Sequence, residues 1–354
     1  MSPTTHGKGY GISDTKNYTD FSVQSYPLKT PGPHDVTLDI DFCGVCGSDV
    51  HTVTGGWGGL NADFVVPGHE IIGKVTHVGA EVTEFKVGQR VGVGAQVFGC
   101  LKCERCKSDN ENYCAEQVDT YNAKYPDGVL AQGGYSSSIR VHDRWVFTIP
   151  EAIKSEDAAP MLCAGLTVYS PLLRNGAGPG KTVGIVGIGG LGHFAIQFAK
   201  ALGARVIVFS HSPSKKADCL SLGADEFVTT DKEGFEKPFF DKIDYILSCA
   251  DVETIPIGEL ASTLKVGGLV TSVGLPDGEW KGLQPQLMAS NGSSIGCSHI
   301  GSKKEANAML KLAAEKGIKP IIDEILPMSK AGDAIQRVKD NKVRYRFVLK
   351  QDLK

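Results

Sequence analysis

The segment Gly187-Ile-Gly-Gly-Leu-Gly192 constrains the fold of this chain more than any other. It follows an apolar run, Thr182–Val186, and opens a stretch from Leu191 to Leu202 whose spacing predicts a helix stopped at Gly203. Glycines spaced this way permit a tight turn, let the backbone approach a pyrophosphate, and pack the helix on the strand, while the helix N-terminus favours an anion. A plain glycine-rich turn has the same letters, so the surrounding pattern must decide. Arg205–Ser210 reads as a second strand, and Ser212-Pro213 supplies an N-cap and a first-turn proline for a helix ending at Gly223. Tyr245–Leu247 and Leu269–Val273 continue the strand series. The expectation for the segment from about 156 to 298 is a parallel, doubly wound sheet.

The chain has 354 residues, too many for one ordinary core. Up to about residue 155 it shows short apolar runs, Val36–Ile40, Ile71–Val75 and Arg90–Val93, punctuated by Pro31-Gly-Pro33, Gly55-Gly56 and Gly133-Gly134. That texture predicts a barrel-like all-β unit rather than helices. Beyond residue 298 there is one helix candidate, Lys303–Lys316, and a closing apolar run, Phe347–Leu349. A composition of 41% hydrophobic and 22% charged residues fits a soluble globular protein. The most apolar stretch, Thr182–Val208, is interrupted by His193, Lys200 and Arg205, so no membrane span is expected. A net charge of −3 removes any general argument for nucleic acid or an anionic membrane as partner. The opening residues, Met1 to Lys8, lack the apolar core of a signal peptide, so a cytoplasmic location is expected. Ten cysteines in such a context point to thiol chemistry or metal rather than disulfides.

If the glycine turn holds a dinucleotide, the end of the second strand reads its ribose. A carboxylate there accepts the 2′-hydroxyl of NAD. This chain has Ser210 instead, followed by His211, Ser212, Ser214, Lys215 and Lys216. Hydroxyls and a cation bind a 2′-phosphate that an acid would repel, so NADP(H) is the expected cofactor. A solvated basic helix start without selectivity is the bland alternative.

The spacing Cys100-x2-Cys103-x2-Cys106-x7-Cys114 places four thiolates within fifteen residues, which suits one closed tetrahedral site. An iron–sulfur cluster uses similar spacing, but nothing else in the chain suggests electron transfer, and a structural zinc is expected. A further set is scattered: Cys43-Gly-Val-Cys46-Gly-Ser48-Asp-Val-His51, then Gly68-His69-Glu70, then Cys163. Alone, each is ambiguous. Cys43 and Cys46 are compatible with a redox pair, His69 with a core histidine and Cys163 with a small buried hydrophobe. Spacing does not decide which of Cys43 and Cys46 would be a ligand.

Taken together, these motifs resemble the zinc-dependent medium-chain alcohol dehydrogenases, and more narrowly their cinnamyl alcohol dehydrogenase branch. The resemblance covers essentially the whole chain. It runs through Cys46 to His51, Gly68-His69-Glu70, the four-cysteine loop, Leu162-Cys163-Ala-Gly-Leu-Thr167, Gly187 to Gly192, and Val343-Arg-Tyr-Arg346-Phe. It implies an α/β architecture: a β-rich GroES-like catalytic domain, residues 1–157 and 299–354, broken by a Rossmann domain, residues 158–298. It implies a catalytic zinc held by Cys46, His69 and Cys163, with Glu70 as an alternating fourth ligand or close neighbour. Ser48 and His51 would relay the proton. The cofactor set would be Thr167, Gly187, Gly189, Gly190, Leu191, Gly192, Ser210, His211, Ser212, Lys215, Val273, Gly274 and Arg346, the last on the pyrophosphate. His211 stands where some relatives carry an arginine. Trp57, Leu60 and Ile300 would line an apolar substrate pocket, with plain packing as the alternative for the first two. A homodimer paired through the segment Ser293–Ser298 completes the picture.

The residue types suit the chemistry. Two thiolates and a neutral imidazole leave a zinc with an open position, where it acts as a Lewis acid on a carbonyl or alcohol oxygen. A hydroxyl and an imidazole leading to solvent give the proton a route. The expected activity is NADP-dependent, zinc-dependent reduction of aromatic (cinnamyl-type) or medium-chain aliphatic aldehydes to primary alcohols. The nearest enzyme rival is a mannitol-type polyol dehydrogenase of the same superfamily. A rival of another class is a non-catalytic nucleotide-binding protein on a dehydrogenase fold. The leftover Cys43, Cys219, Cys249 and Cys297 are expected to be ordinary buried residues.

Overall fold

The computed structural model describes residues 4–281, 283 and 285–353. The chain divides into two compact units. One gathers the described residues of Met1–Cys163 with Gly301–Glu315 and Lys319–Lys354; the other takes those of Ala164–Ile300 with Lys316–Ile318.

The first unit is built on a seven-stranded sheet. Val146–Thr148, Arg90–Val93, Ile71–Val78, Asp35–Val45, Arg346–Lys350 and Ile322–Pro327 lie in that spatial order, and Ser138–His142 also pairs with Asp35–Val45. Every pairing is antiparallel except the last, Ile322–Pro327 with Arg346–Lys350. Val36, Leu38, Ile40, Ile71, Val75, Val91, Val93, Phe347 and Leu349 form its core. The alternation of β-branched and polar residues explains why these segments are strands.

Two helices depart from the sequence expectation. Gly47–Thr54 is helical although the region reads as all-β. Its start is fixed by Asp49, whose carboxylate accepts the Cys46 N–H at 2.9 Å, and Gly55 ends it at φ 78. Ala331–Lys339 is a second unanticipated helix; it buries Ala331, Ala334 and Ile335. Neither a side-chain N-cap nor a terminal glycine announces it.

The second unit is a six-stranded sheet in which every pairing is parallel. In space the strands run Glu226–Thr229, Arg205–Ser210, Thr182–Val186, Ile243–Ser248, Leu264–Ser272, Ser294–Cys297. Numbered by chain position within the unit, this is the order 3-2-1-4-5-6 of the dinucleotide-binding fold. Buried on both faces, the central strands are near-continuous apolar runs such as Val206–Phe209. The chain order reverses beside Thr182–Val186, the position at which such sheets bind ligands. Ser294–Cys297 is the outer strand, and there Cys297 is exposed, not buried as expected. An edge strand has one covered side only. Among the described residues no helix is long and apolar enough to cross a membrane.

Candidate active site

Three separate segments of the first unit bring four side chains together. Cys46 caps the helix Gly47–Thr54, His69 and Glu70 enter the strand Ile71–Val78, and Cys163 follows the turn Ala159–Leu162. One ligand atom from each of Cys46, His69, Glu70 and Cys163 lies within 4.8 Å of the others, and all four residues are buried. The two sulfurs are 3.9 Å apart. His69 Nε2 and Glu70 Oε2 are buried without a hydrogen-bond partner. Such orphans are costly unless something fills the space between them.

The ambiguity between the neighbouring cysteines is resolved by the backbone. Cys43 lies within the strand Asp35–Val45, buried, its thiol bonded to the Gly44 carbonyl at 3.5 Å and pushed up in pKa by burial. Cys46 stands past the strand end, where the chain turns into the helix, and its sulfur meets Cys163.

Asp49 orders the site. Its Oδ2 accepts the Cys46 N–H at 2.9 Å and the Tyr135 hydroxyl at 3.0 Å, and its Oδ1 accepts the Gly68 N–H at 3.1 Å. The same Oδ1 lies 3.6 Å from His69 Nδ1, which leaves Nε2 toward the sulfurs. Tyr121 lies flat against His69, with ring centroids 5.5 Å apart. The sequence reading missed Asp49, Tyr121 and Tyr135 as contributors. Asp49 carried a signal, a carboxylate three residues past Cys46; the tyrosines carried none.

Charge is concentrated here. A hydrogen bond from Cys163 holds the Cys46 thiol well below its usual pKa, against burial. The same contact, with burial, holds Cys163 well above. Burial works against a charged His69, but Asp49 and Cys46 outweigh it and its pKa rises to about 9. Burial lifts Glu70 to about 8, although Arg346 pulls the other way. Arg346 donates through Nη2 to Glu70 Oε1 and is itself buried. Protons on Cys163 and His69 thus stand where two sulfurs, a nitrogen and a carboxylate oxygen form a donor set suited to zinc.

Ser48 and His51 lie on the helix Gly47–Thr54, with Ser48 Oγ 3.6 Å from Cys46 Sγ. The His51 ring stacks on Trp57, centroids 4.6 Å apart and 6° from parallel. Trp57 is 46% exposed; Leu60 packs against the core of the first unit.

The four remaining sequence-assigned cysteines also converge. Cys100, Cys103, Cys106 and Cys114 place their sulfurs within 4.8 Å of one another. Backbone N–H groups of Lys102 and Cys103 lower the Cys100 thiol to about 6. Cys114 Sγ accepts from the Cys100 and Glu116 N–H groups, each at 3.4 Å. Donors aimed at sulfur favour thiolates, which suits a closed site.

In the second unit, Gly187 turns at φ 80 and a side chain there would meet Ala250 at 2.8 Å. A Cβ at Gly192 would collide with the Gly187 carbonyl, whereas one at Gly189 would meet nothing within 4 Å. The outer glycines are required by packing, and the middle one leaves the turn open to an approaching ligand. Gly190 and Leu191 lead into the helix Gly192–Ala201. Ser210 ends its strand; the Ser212 N–H donates to Ser210 Oγ at 3.2 Å, and Ser212 Oγ lies 3.0 Å from Ser214 Oγ. Ser212 caps nothing through its side chain: Pro213–Lys215 is a single 3₁₀ turn, and the α-helix follows at Lys216–Ser221. Lys215 Nζ donates to the Ile188 carbonyl at 2.5 Å, which sets the ammonium at the glycine turn. His211 is exposed. Thr167 is buried with its hydroxyl unpartnered. The Val273 N–H donates to the Ser248 carbonyl at 2.9 Å, and Gly274 follows it. Ile300 has a positive φ of 52.

Comparison with known proteins agrees with this chemistry. Residues 32–151 match the alcohol dehydrogenase GroES-like domain, and residues 190–315 match the zinc-binding dehydrogenase domain. The chain is 46% identical over 348 residues to NADP-dependent alcohol dehydrogenase 6 of Saccharomyces cerevisiae, covering 97% of this chain and 96% of that protein. It is 40% identical to a probable cinnamyl alcohol dehydrogenase of Populus deltoides, covering 98% and 96%. Among solved structures, a cinnamyl alcohol dehydrogenase of Sorghum bicolor superposes with a TM-score of 0.91 at 38% identity, covering 98% of this chain and 97% of that one. A Helicobacter pylori cinnamyl alcohol dehydrogenase complexed with NADP(H) gives 0.89 at 32%, covering 98% of each chain.

Proposed function

This chain belongs to the zinc-dependent medium-chain alcohol dehydrogenases, in their cinnamyl alcohol dehydrogenase branch, and we propose that it reduces aromatic or medium-chain aliphatic aldehydes to primary alcohols with NADPH. The observation that carries the reading is the convergence of Cys46, His69, Glu70 and Cys163. Cys46, His69 and Cys163 would hold the catalytic zinc, with Glu70 as an alternate ligand. When bound there, zinc supplies Lewis-acid polarisation of the substrate oxygen. Cys100, Cys103, Cys106 and Cys114 would hold a second, structural ion. A polyol as substrate is disfavoured by the names of the relatives and by the apolar face of Trp57 beside the helix that carries Ser48.

The chain's own groups then have defined work. Asp49 orients His69 through Nδ1, so that Nε2 is the ligating nitrogen. The Ser48 hydroxyl, beside Cys46, hands a proton between the substrate oxygen and His51 one turn further along the helix. Trp57 covers one face of that imidazole. Ser210, Ser212 and Lys215 would bind the 2′-phosphate of NADPH, and the turn from Gly187 to Gly192 its pyrophosphate. Retention of both relay residues and the whole ligand set argues against a non-catalytic nucleotide-binding protein. We place the enzyme in the cytoplasm, where ten free cysteines remain reduced, as a homodimer paired along the outer strand Ser294–Cys297.

The decisive experiment is an aldehyde panel, including cinnamaldehyde and a sugar alcohol in the reverse direction, run with NADPH and NADH before and after chelation. Cinnamaldehyde reduction that fails after chelation and returns with zinc supports the reading; turnover unaffected by full metal removal overturns it.

Two further outcomes are expected. His51→Gln should lower the rate at neutral pH about a hundredfold, the lower end for an acid–base group because water substitutes in part, while zinc content stays unchanged. Zinc loss in this variant would place His51 among the ligands. The second outcome follows from the pKa directions. At pH 7 His69, with a pKa of about 9, and the raised Cys163 thiol are both protonated in the metal-free site, whereas Cys46 is already a thiolate. Refilling stripped enzyme should therefore release about two protons per catalytic zinc, or about three where Glu70, lifted to about 8, also ligates, and apparent affinity should rise at least about a hundredfold per pH unit around neutrality. Calorimetry in buffers of different ionisation enthalpy measures this. Release near zero would contradict the ligand set.

A further inference from the structure

A second cluster of metal-ligating side chains lies in the first unit, outside both thiolate sites. It forms where the strand Asp35–Val45 begins beside the end of Ser138–His142. His142 is the ladder partner of Asp35, and the Asp143 N–H donates to the His34 carbonyl at 2.9 Å. Backbone hydrogen bonds thus fix two imidazoles and a carboxylate side by side. One ligand atom each from His34, His142 and Asp143 lies within 4.8 Å of the others, and the imidazole centroids are 5.2 Å apart. Asp143 reaches both rings, with Oδ1 2.9 Å from His142 Nδ1 and Oδ2 3.6 Å from His34 Nδ1.

Two further contacts, one on each ring, make this more than a cluster. His34 Nε2 lies 2.8 Å from Glu81 Oε2. A carboxylate that accepts the N–H of one imidazole nitrogen leaves the other nitrogen with its lone pair and raises its basicity, the arrangement found behind metal-bound histidines. On His142, the Arg144 N–H donates to Nδ1 at 3.1 Å, so that nitrogen also carries a lone pair. In the neutral form of both rings, two lone pairs then face a carboxylate with no proton among them. A cation stabilises such a group.

We infer that His34, His142 and Asp143 form a site for one divalent transition ion of the zinc, nickel or copper kind, with Glu81 as the positioning residue behind His34 and water completing the coordination. Binding gives up the Arg144 N–H contact. The His34 side chain is 44% exposed, which leaves an approach from solvent. An ion there ties the start of one strand to the end of its neighbour. It binds only the folded chain, raises thermal stability and takes no part in turnover. The site shares no ligand with the thiolate sites or the proposed reaction, although Arg144, next to Asp143, pairs with Asp109 and Glu111 of the Cys100–Cys114 loop.

The test uses the intact enzyme with its thiolate sites filled, dialysed against metal-free buffer and titrated with zinc alone. Bound metal is counted by equilibrium dialysis with elemental mass spectrometry, and melting is followed in parallel. One further equivalent is expected at micromolar free zinc, with a rise in melting temperature of a few degrees. His34→Gln should abolish both, and Glu81→Gln should weaken binding about 10- to 100-fold. Unliganded melting and aldehyde turnover should stay unchanged in both variants. His142 packs edge-on against Trp145 at 5.7 Å, so the exposed His34 is the cleaner variant. The inference is overturned if the unmodified enzyme takes no further equivalent at 100-fold higher zinc, or if His34→Gln retains it. It is equally overturned if the equivalent disappears with the exposed Cys297→Ser instead.

Discussion

Replacing Cys163 by alanine should abolish aldehyde reduction while leaving a folded protein that has lost about one of the two zinc ions proposed for it. The sulfur of Cys163 is 3.9 Å from Cys46 and belongs to the buried quartet, so its removal takes one of three strong donors from the catalytic site. Lewis-acid polarisation lowers the barrier by several kcal/mol, and each 1.36 kcal/mol is a factor of ten, so a loss of about 10³-fold or more is expected. The fold should survive, because Cys163 is one small residue at the end of a turn packed by Ala159 to Leu162. Cys103→Ala should behave in the opposite sense. The loop from Cys100 to Cys114 contains only a four-residue helix and a three-residue 3₁₀ turn, too little to order it without a metal. That variant should lose the other zinc ion and melt several degrees lower. Elemental analysis and melting curves separate the two cases. Most of the activity remaining in Cys163→Ala would refute the ligand assignment.

What the sequence makes legible, and what it does not, follows from the range of the forces involved. The glycine turn and the apolar runs around it are local signals, since turn conformation and strand propensity act over a few residues; the 3-2-1-4-5-6 sheet follows from them. The four-cysteine loop is local too. The buried quartet is not, because Cys46 and His69 meet only after strand Asp35–Val45 pairs with Ile71–Val78, and Cys163 joins them from a third segment. Local spacing therefore leaves Cys43 and Cys46 equivalent, and the family resemblance alone points to a ligand set. Tyr135 is 86 residues from Asp49 in the chain, and no spacing rule connects them. The helix Gly47–Thr54 escaped notice because glycine opens it and threonines and β-branched residues fill it, whereas its stability comes from Asp49 and from packing of Val53. Cys297 was misplaced for a related reason: burial of an edge-strand residue depends on what covers the edge, which its own letters do not encode.

Cofactor choice is where the structure sharpens the sequence argument and changes its cause. The sequence suggests that a helix N-terminus begins at Ser212 and helps to bind a 2′-phosphate. The segment is instead a single 3₁₀ turn, so selectivity has to come from side chains. Ser210 is 5% exposed at the end of its strand, where the strand-end acid that holds a ribose 2′-hydroxyl would stand. Ser212 and Ser214 add hydroxyls 3.0 Å apart, and Lys215 is anchored at the Ile188 carbonyl, which holds its charge at the glycine turn. Charge-assisted hydrogen bonds contribute about 1.5–3 kcal/mol each, so two such contacts should favour NADPH over NADH by roughly 10²- to 10⁴-fold in kcat/KM. NADH meets no repulsion here and should keep weak activity. Ser210→Asp should reverse the ranking, by opposing the 2′-phosphate and by accepting the 2′-hydroxyl of NADH. Lys215→Ala should act differently: it removes attraction without adding repulsion, and lowers efficiency with NADPH while leaving NADH nearly unchanged. Equal efficiency with the two cofactors in the unmodified enzyme would overturn the assignment of Ser210, Ser212 and Lys215.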